Sequence, residues 1–212
     1  MPDRTGGGRP RLYQYKNSWI IHNSQMIREA ASQHHIPADL LASIAWIEVG
    51  GMPDVMDSIA FPVRSFDWSG PGFIDRNFTT TRHPLLTSVG SVSIQLRVAA
   101  RTLGLQADNM DYQQLSRLKR CLETDRYNLQ VVAQHLYDLI RYDYPDSDTR
   151  ILTEEQFIIA ASRYNRGTAR KRQDYLDSIK APPGHKNRTY SEYGRAAWRR
   201  RETIIHLLSN GG

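Results

Sequence analysis

The sequence predicts a mostly α-helical protein. Apolar residues recur at helical spacing in six stretches between residues 24 and 208, and those stretches are bounded by helix start and stop signals. No internal repeat or low-complexity tract interrupts them. Residues 1–18 are polar and Gly-rich and read as a flexible tail or linker, leaving 19–212 as the folded domain. Within that tail, Gly6-Gly7-Gly8-Arg9-Pro10 lacks the Gly-Lys-Ser/Thr ending of a phosphate-binding loop.

Ser24 is a candidate N-cap for a helix reaching about His34, with Met26, Ile27, Ala30 and Ala31 on its apolar side. Pro37 suits the first position of the next helix and Gly50-Gly51 its stop, so Ala38 to Val49 is helical. Pro53, Pro62, Gly70, Pro71, Gly72 and Pro84 break any period across 52–87, a long irregular or short-stranded segment. A loop of that length inside a compact domain is usually functional. Helices resume at 91–105 and at 128–142, where Val131, Val132, His135, Leu136 and Leu139 share a face before Pro145. Thr153-Glu154-Glu155-Gln156 is a capping box opening a helix that Asn165 and Gly167 close. A Pro/Gly loop over 180–190 precedes a last helix capped by Ser191 and running through Trp198, Ile204, Ile205 and Leu208.

Composition excludes several classes. The chain has 212 residues, 40% hydrophobic and 24% charged, which is a globular composition long enough for one sizeable core. Its most apolar run, Leu40 to Ile47, falls far short of the roughly 20 residues a membrane span needs. The single cysteine, Cys121, excludes an internal disulfide and a zinc finger, and the HExxH metalloprotease pattern is absent. No cofactor is expected. A net charge of +6 suits a polyanionic partner: nucleic acid, an anionic membrane or bacterial cell wall.

Glu48 is the most informative residue. Positions 41, 44 and 48 stack on one helix face, and two of them are Leu41 and Ile44. Burial on that stripe, at the negative end of the helix dipole, raises the carboxyl pKa and keeps its proton on. A protonated carboxylic acid near neutral pH can protonate a leaving oxygen. Periodicity leaves a second reading open, a helix-end glutamate that is partly exposed or paired with an arginine.

Ile36-Pro37-Ala38-Asp39-Leu40-Leu41-Ala42-Ser43-Ile44-Ala45-Trp46-Ile47-Glu48 resembles the catalytic helix of the lysozyme-like superfamily, in its soluble lytic transglycosylase and goose-type lysozyme branches. Two further stretches are similar and follow in order. Ser88-Val89-Gly90-Ser91-Val92-Ser93-Ile94, leading into Ala99-Ala100-Arg101-Thr102-Leu103-Gly104, resembles the Ser-x-Gly-x-x-Gln-Ile segment and its Ala-rich helix. Ala160-Ala161-Ser162-Arg163-Tyr164-Asn165-Arg166-Gly167 resembles the Ala-Tyr-Asn-x-Gly motif, and Tyr193-Gly194 a final Tyr-Gly element. These motifs span 36–167, and the last helix extends the likeness to about 208. One departure stands out: Ser93 aligns where the family places Gln, and Gln95 lies two residues on.

The resemblance implies a lysozyme-like fold and cleavage of the β-1,4 bond between N-acetylmuramic acid and N-acetylglucosamine, with Glu48 as general acid. Tyr164 and Asn165 would line a glycan groove, holding the glutamate and the sugar, with Ser88 and Gly90 as the wall opposite, and Ser93, Gln95 and Tyr193 would also contact substrate. Without the family, Tyr164-Asn165 reads equally as a helix end with an Asn cap. Hydrolysis needs a second carboxylate to hold water, about 6.5–9.5 Å from the acid in an inverting enzyme. Asp67, between Phe66 and Trp68, is the first candidate and Asp57 the next, with Asp54 and Asp75 also in that segment. Any single one of them reads more readily as an ordinary turn or cap residue. A lytic transglycosylase dispenses with it, Glu48 serving as acid and then base while the sugar's 6-hydroxyl attacks.

Trp46, Phe66, Trp68 and Phe73 gather around Glu48 and the loop as possible sugar platforms, although Trp46 is expected in the core. His34-His35 reads as a cap or surface pair. From another class comes a basic nucleic-acid-binding module. It would use Arg163, Arg166, Arg170, Lys171 and Arg172 with Arg195, Arg199, Arg200 and Arg201, beside Tyr175 and Trp198. A solvated face is the bland reading of the same runs. The enzyme reading expects a monomer that binds peptidoglycan and no nucleic acid. The N-terminus shows no apolar signal region. The expectation is therefore action in the bacterial periplasm or cell wall after delivery by a secretion apparatus or phage lysis, with an immunity or inhibitor protein guarding the producer.

Overall fold

A computed structural model describes residues 8–50, 85 and 88–211. Among these, the helices are α1 (Gly8–His22), α2 (Ser24–Gln33), α3 (Ala38–Glu48), α4 (Leu96–Thr102), α5 (Tyr112–Leu122), α6 (Asp125–Asp143), α7 (Glu154–Arg166), α8 (Arg172–Lys180) and α9 (Glu192–Ser209). Strands β1 (Ser88–Val89) and β2 (Ile94–Gln95) pair antiparallel, Ser88 opposite Gln95 and Val89 opposite Ile94. The protein is mostly α, as its periodicity predicts.

Helix α3 is the centre. Every residue from Asp39 to Glu48 is buried, because a helix apolar on all sides can hide only by being surrounded. Helices α1, α2, α6, α7 and α9 pack around it. Both ends of α3 meet charge of the sign its dipole favours. Asp39 sits in the first turn, where it pairs with Arg201 of α9 and accepts from the Leu40 N–H. The Lys16 ammonium lies at the last turn. One apolar cluster draws on α1 to α7 and α9.

Several expectations change. Residues 8–18 are not a tail: α1 begins at Gly8, with Lys16, Trp19 and Ile20 fully or almost fully buried. Tyr13, Lys16, Asn17 and Ile20 repeat at helical spacing, a face that the surrounding polar residues disguise. The helix expected over 91–105 begins only at Leu96, because 88–95 is a hairpin. Gly90 turns it with φ +90°, and a β-carbon there would stand 2.2 Å from Asn128 Nδ2. The turn's polar groups find partners on α6: the Val92 N–H donates to Asn128 Oδ1 (2.9 Å), and the Ser91 hydroxyl to Asp125 (2.5 Å).

Ser24 opens α2 without capping it; Asn23 is the cap residue, and the Ser24 hydroxyl donates to the Gly211 carbonyl instead (2.6 Å). Ser191 stands at the cap position of α9, yet its hydroxyl is engaged with Ser178 and Arg195. The Thr153–Gln156 capping box forms reciprocally, as read from the sequence. A second box, Asp111–Gln114, opens α5, which with α8 stands outside the helices expected from the sequence. The expected irregular segment 52–87 lies outside the described residues apart from Leu85.

Candidate active site

Glu48 ends α3 and is 7% exposed. The Tyr193 phenol donates to its Oε1 at 2.8 Å, joining residues 145 positions apart. The neighbouring Gly194 makes that reach possible. An ideal β-carbon on Gly194 would lie 2.0 Å from the Ile158 carbonyl oxygen, so only glycine lets α9 approach α7 this closely. That approach seats Tyr193, in the first turn of α9, against the end of α3. Tyr193, expected to line a groove, is 3% exposed and its hydroxyl donates to the Glu48 carboxyl.

Tyr164, half-buried on α7, donates to the Ser93 carbonyl at 2.8 Å and fastens the hairpin turn to that helix. Asn165 beside it is half-buried, and α7 ends at Gly167 with φ +73°. Ser88 is exposed at the start of β1, Gly90 and Ser93 are half-buried in the turn, and Gln95 is half-buried opposite Ser88. The Gln95 Oε1 has no hydrogen-bond partner among the described residues. Asp57 and Asp67, with Asp54, Asp75, Phe66, Trp68 and Phe73, lie outside the described residues.

Trp46 belongs to the core. It is 2% exposed, its indole N–H donates to Asn17 (2.8 Å), Tyr13 stacks on it at 5.3 Å, and the Arg200 guanidinium sits 3.7 Å over its ring. The His34 ring nitrogens lie 2.9 and 2.8 Å from the Gln134 and Gln130 side chains. His35 offers its carbonyl to the Thr149 hydroxyl. No group of three or more His, Cys, Asp or Glu placed to hold a metal occurs among the described residues.

The basic runs are used largely inside the fold. Arg163 forms a fully buried two-point pair with Asp143 between the rings of Tyr142 and Tyr175. Arg166 donates to the Thr189 carbonyl, Arg170 stacks on Tyr190 at 3.8 Å, and Arg172 donates to the Asp143 carbonyl and lies over Tyr144. Arg195 binds Glu192 and two backbone carbonyls, and Arg201 binds Asp39. Lys171, Arg172 and Arg199 of the two runs stand exposed at the surface.

A cavity of about 360 Å³ opens between Leu105, Met110, Arg117, Leu118, Cys121 and Tyr127, and it shares no residue with the Glu48 site. No helix among the described residues is long and apolar enough to cross a membrane.

Three residues near the site escape a one-dimensional reading: Lys16, Asn128 and His135. His135 faces Tyr164, ring centroids 5.9 Å apart, with Nδ1 3.3 Å from the Thr102 hydroxyl. Burial pushes its pKa down to about 4 from 6.5. The unfolded chain therefore binds a proton that the native state refuses, and stability falls as pH drops from 6.5 towards 4. At about 1.4 kcal/mol per unit the loss reaches up to about 3 kcal/mol. Urea denaturation at pH 7 and pH 4.5 is expected to show His135→Gln losing less stability over that interval than the wild type. Equal losses would remove His135 as a source of acid sensitivity.

Comparison of the chain with protein-family models, with curated proteins and with solved structures finds no match. What the molecule does is therefore read from its own side chains.

Proposed function

We propose that this protein adopts a lysozyme-like arrangement and cleaves peptidoglycan glycan strands at the N-acetylmuramic acid–β-1,4–N-acetylglucosamine bond. The observation that carries the reading is Glu48, a carboxyl at the end of the central apolar helix, 7% exposed and held by the Tyr193 hydroxyl. The Tyr193 O–H can donate to this carboxyl whether or not it carries its proton, so the neighbour that aims the group keeps its hydrogen bond through a proton transfer. The hairpin 88–95, tied to α7 through Tyr164 and Ser93, supports the same reading, since both segments resemble groove elements of that superfamily.

In hydrolysis, the Glu48 proton passes to the bridging oxygen as the C1–O bond of the muramic acid breaks. Water adds at C1 and yields its proton to a base, for which Asp67 and Asp57 are the candidates. The substrate places the activity in the bacterial cell wall, and a protein that inhibits it would protect the producer.

The test is mass spectrometry of muropeptides released from purified cell wall. Reducing muramic acid ends mark hydrolysis, the expected product. A 1,6-anhydro end marks transglycosylation instead, with Glu48 acting as acid and then base. Failure to release any glycan fragment would overturn the proposal.

A further inference from the structure

Lys16 is 0% exposed, the least expected place for an ammonium group. Its three N–H donors meet three carbonyls: Trp46 at 2.9 Å, Ile47 at 2.8 Å and Val49 at 2.6 Å. Three acceptors match a charged ammonium, which has three N–H bonds, where a neutral amine has two. The carbonyls bracket Glu48 on both sides. They belong to the end of α3, where the orphan C=O groups of a helix need donors and the dipole favours a cation. A side chain from α1, some thirty residues earlier, supplies those donors.

The anchorage is repeated along the same face of α1. Tyr13 stacks on Trp46, Asn17 accepts from the Trp46 indole N–H, and the Lys16 ammonium stands 5.1 Å from the centroid of that ring. Residues 13, 16 and 17 fall on one side of α1 at helical spacing and close on residues 46–49. The Tyr193 hydroxyl aims the Glu48 carboxyl at its tip, while Lys16 grips the backbone on which that side chain stands.

We propose that Lys16 is a positioning residue for Glu48, its buried ammonium fixing the helix end that presents the carboxyl to substrate. This rests on Glu48 being the general acid. A displacement of about 1 Å at a reacting group costs on the order of 100-fold in rate. Loosening the last turn of α3 therefore lowers the chemical step and leaves glycan binding intact.

The experiment compares wild type, Lys16→Met and Lys16→Arg as full chains. The readouts are kcat and KM on soluble uncrosslinked glycan strands, helix content by circular dichroism, and amide exchange along α3. Lys16→Met is expected to lose at least tenfold in kcat with KM within twofold. The amides of 46–50 should exchange at least tenfold faster while those of 40–43 keep their rate. Lys16→Arg, which retains the charge, is expected to recover part of both. A kcat within twofold of wild type in Lys16→Met overturns the proposal, as does a loss of kcat with unchanged exchange at 46–50. If Lys16→Met does not fold, Lys16→Arg decides: a wild-type kcat together with accelerated exchange at 46–50 overturns the proposal, as does a loss of kcat with unchanged exchange there, and a milder loss of kcat at unchanged KM with faster exchange at 46–50 supports it. A wild-type chain inactive on glycan would overturn the muramidase reading separately, because the exchange rates report on the grip of Lys16 without any turnover.

Discussion

Glu48→Gln is expected to abolish release of muropeptides from purified cell wall while leaving the fold intact. The substitution keeps the side chain's length and an oxygen that can accept the Tyr193 hydroxyl, so the hydrogen bond at 2.8 Å persists and the apolar surroundings are unchanged. What disappears is the transferable proton. Loss of a general acid costs typically 10²–10⁴-fold, and the variant should fall at least that far in the initial rate. Thermal unfolding should move by no more than a few degrees. Activity and melting temperature measured on the same preparation separate the two effects. Full activity in Glu48→Gln would remove this residue from the chemistry and with it the central support for glycan cleavage.

The second large effect is on stability. Asp143→Ala strips the Arg163 guanidinium of its only carboxylate among the described contacts, at a place where the two side chains are 3% and 0% exposed. The pair is joined at two points, 2.7 and 2.8 Å, and the guanidinium is enclosed by Tyr142 and Tyr175. The Gly167 and Arg170 carbonyls, at 3.4 and 2.7 Å from Arg163 Nη1, remain as acceptors but carry no full charge. Breaking a buried pair from one side costs about 3–5 kcal/mol, because a charge remains buried without compensation. For a domain of this size that corresponds to a melting temperature lower by roughly 6–20 °C. The double variant Asp143→Ala/Arg163→Met should regain part of the loss, since it removes the stranded charge as well. Chemical denaturation of the wild type, the single variants Asp143→Ala and Arg163→Met, and the double variant closes the cycle. A single-variant loss under about 1 kcal/mol would mean that the pair contributes as an exposed one does. Arg163 precedes Tyr164, so this clamp also steadies the end of α7 that fastens the hairpin.

Both effects trace to residues with very different visibility in the chain. Glu48 was legible because its neighbours on the helix face, Leu41 and Ile44, lie within two turns of it. The Thr153–Gln156 box was legible because both halves of it sit three residues apart. The Asp111–Gln114 box has the same form, yet the helix behind it is strongly polar, and an apolar stripe of Leu115, Leu118 and Leu122 is easily passed over. Arg163 looked like part of a basic run because its acidic partner lies twenty residues away on another helix.

Taken alone, the chain determined what short-range physics can determine: a helical protein, a helix with an apolar stripe, and a glutamate at the end of that stripe. Those follow from periodicity and from caps, whose partners lie within a turn or two. Only the tertiary structure decided that a polar, glycine-led segment becomes α1 and finishes α3 through Lys16. It likewise turned 88–95 into a hairpin, by supplying Asn128 and Asp125 to satisfy the turn, and set the Tyr193 hydroxyl on Glu48. In each case the deciding partner is between 30 and 145 residues distant. A buried polar group must find its partner wherever the packed core brings one, and no local pattern records where that will be.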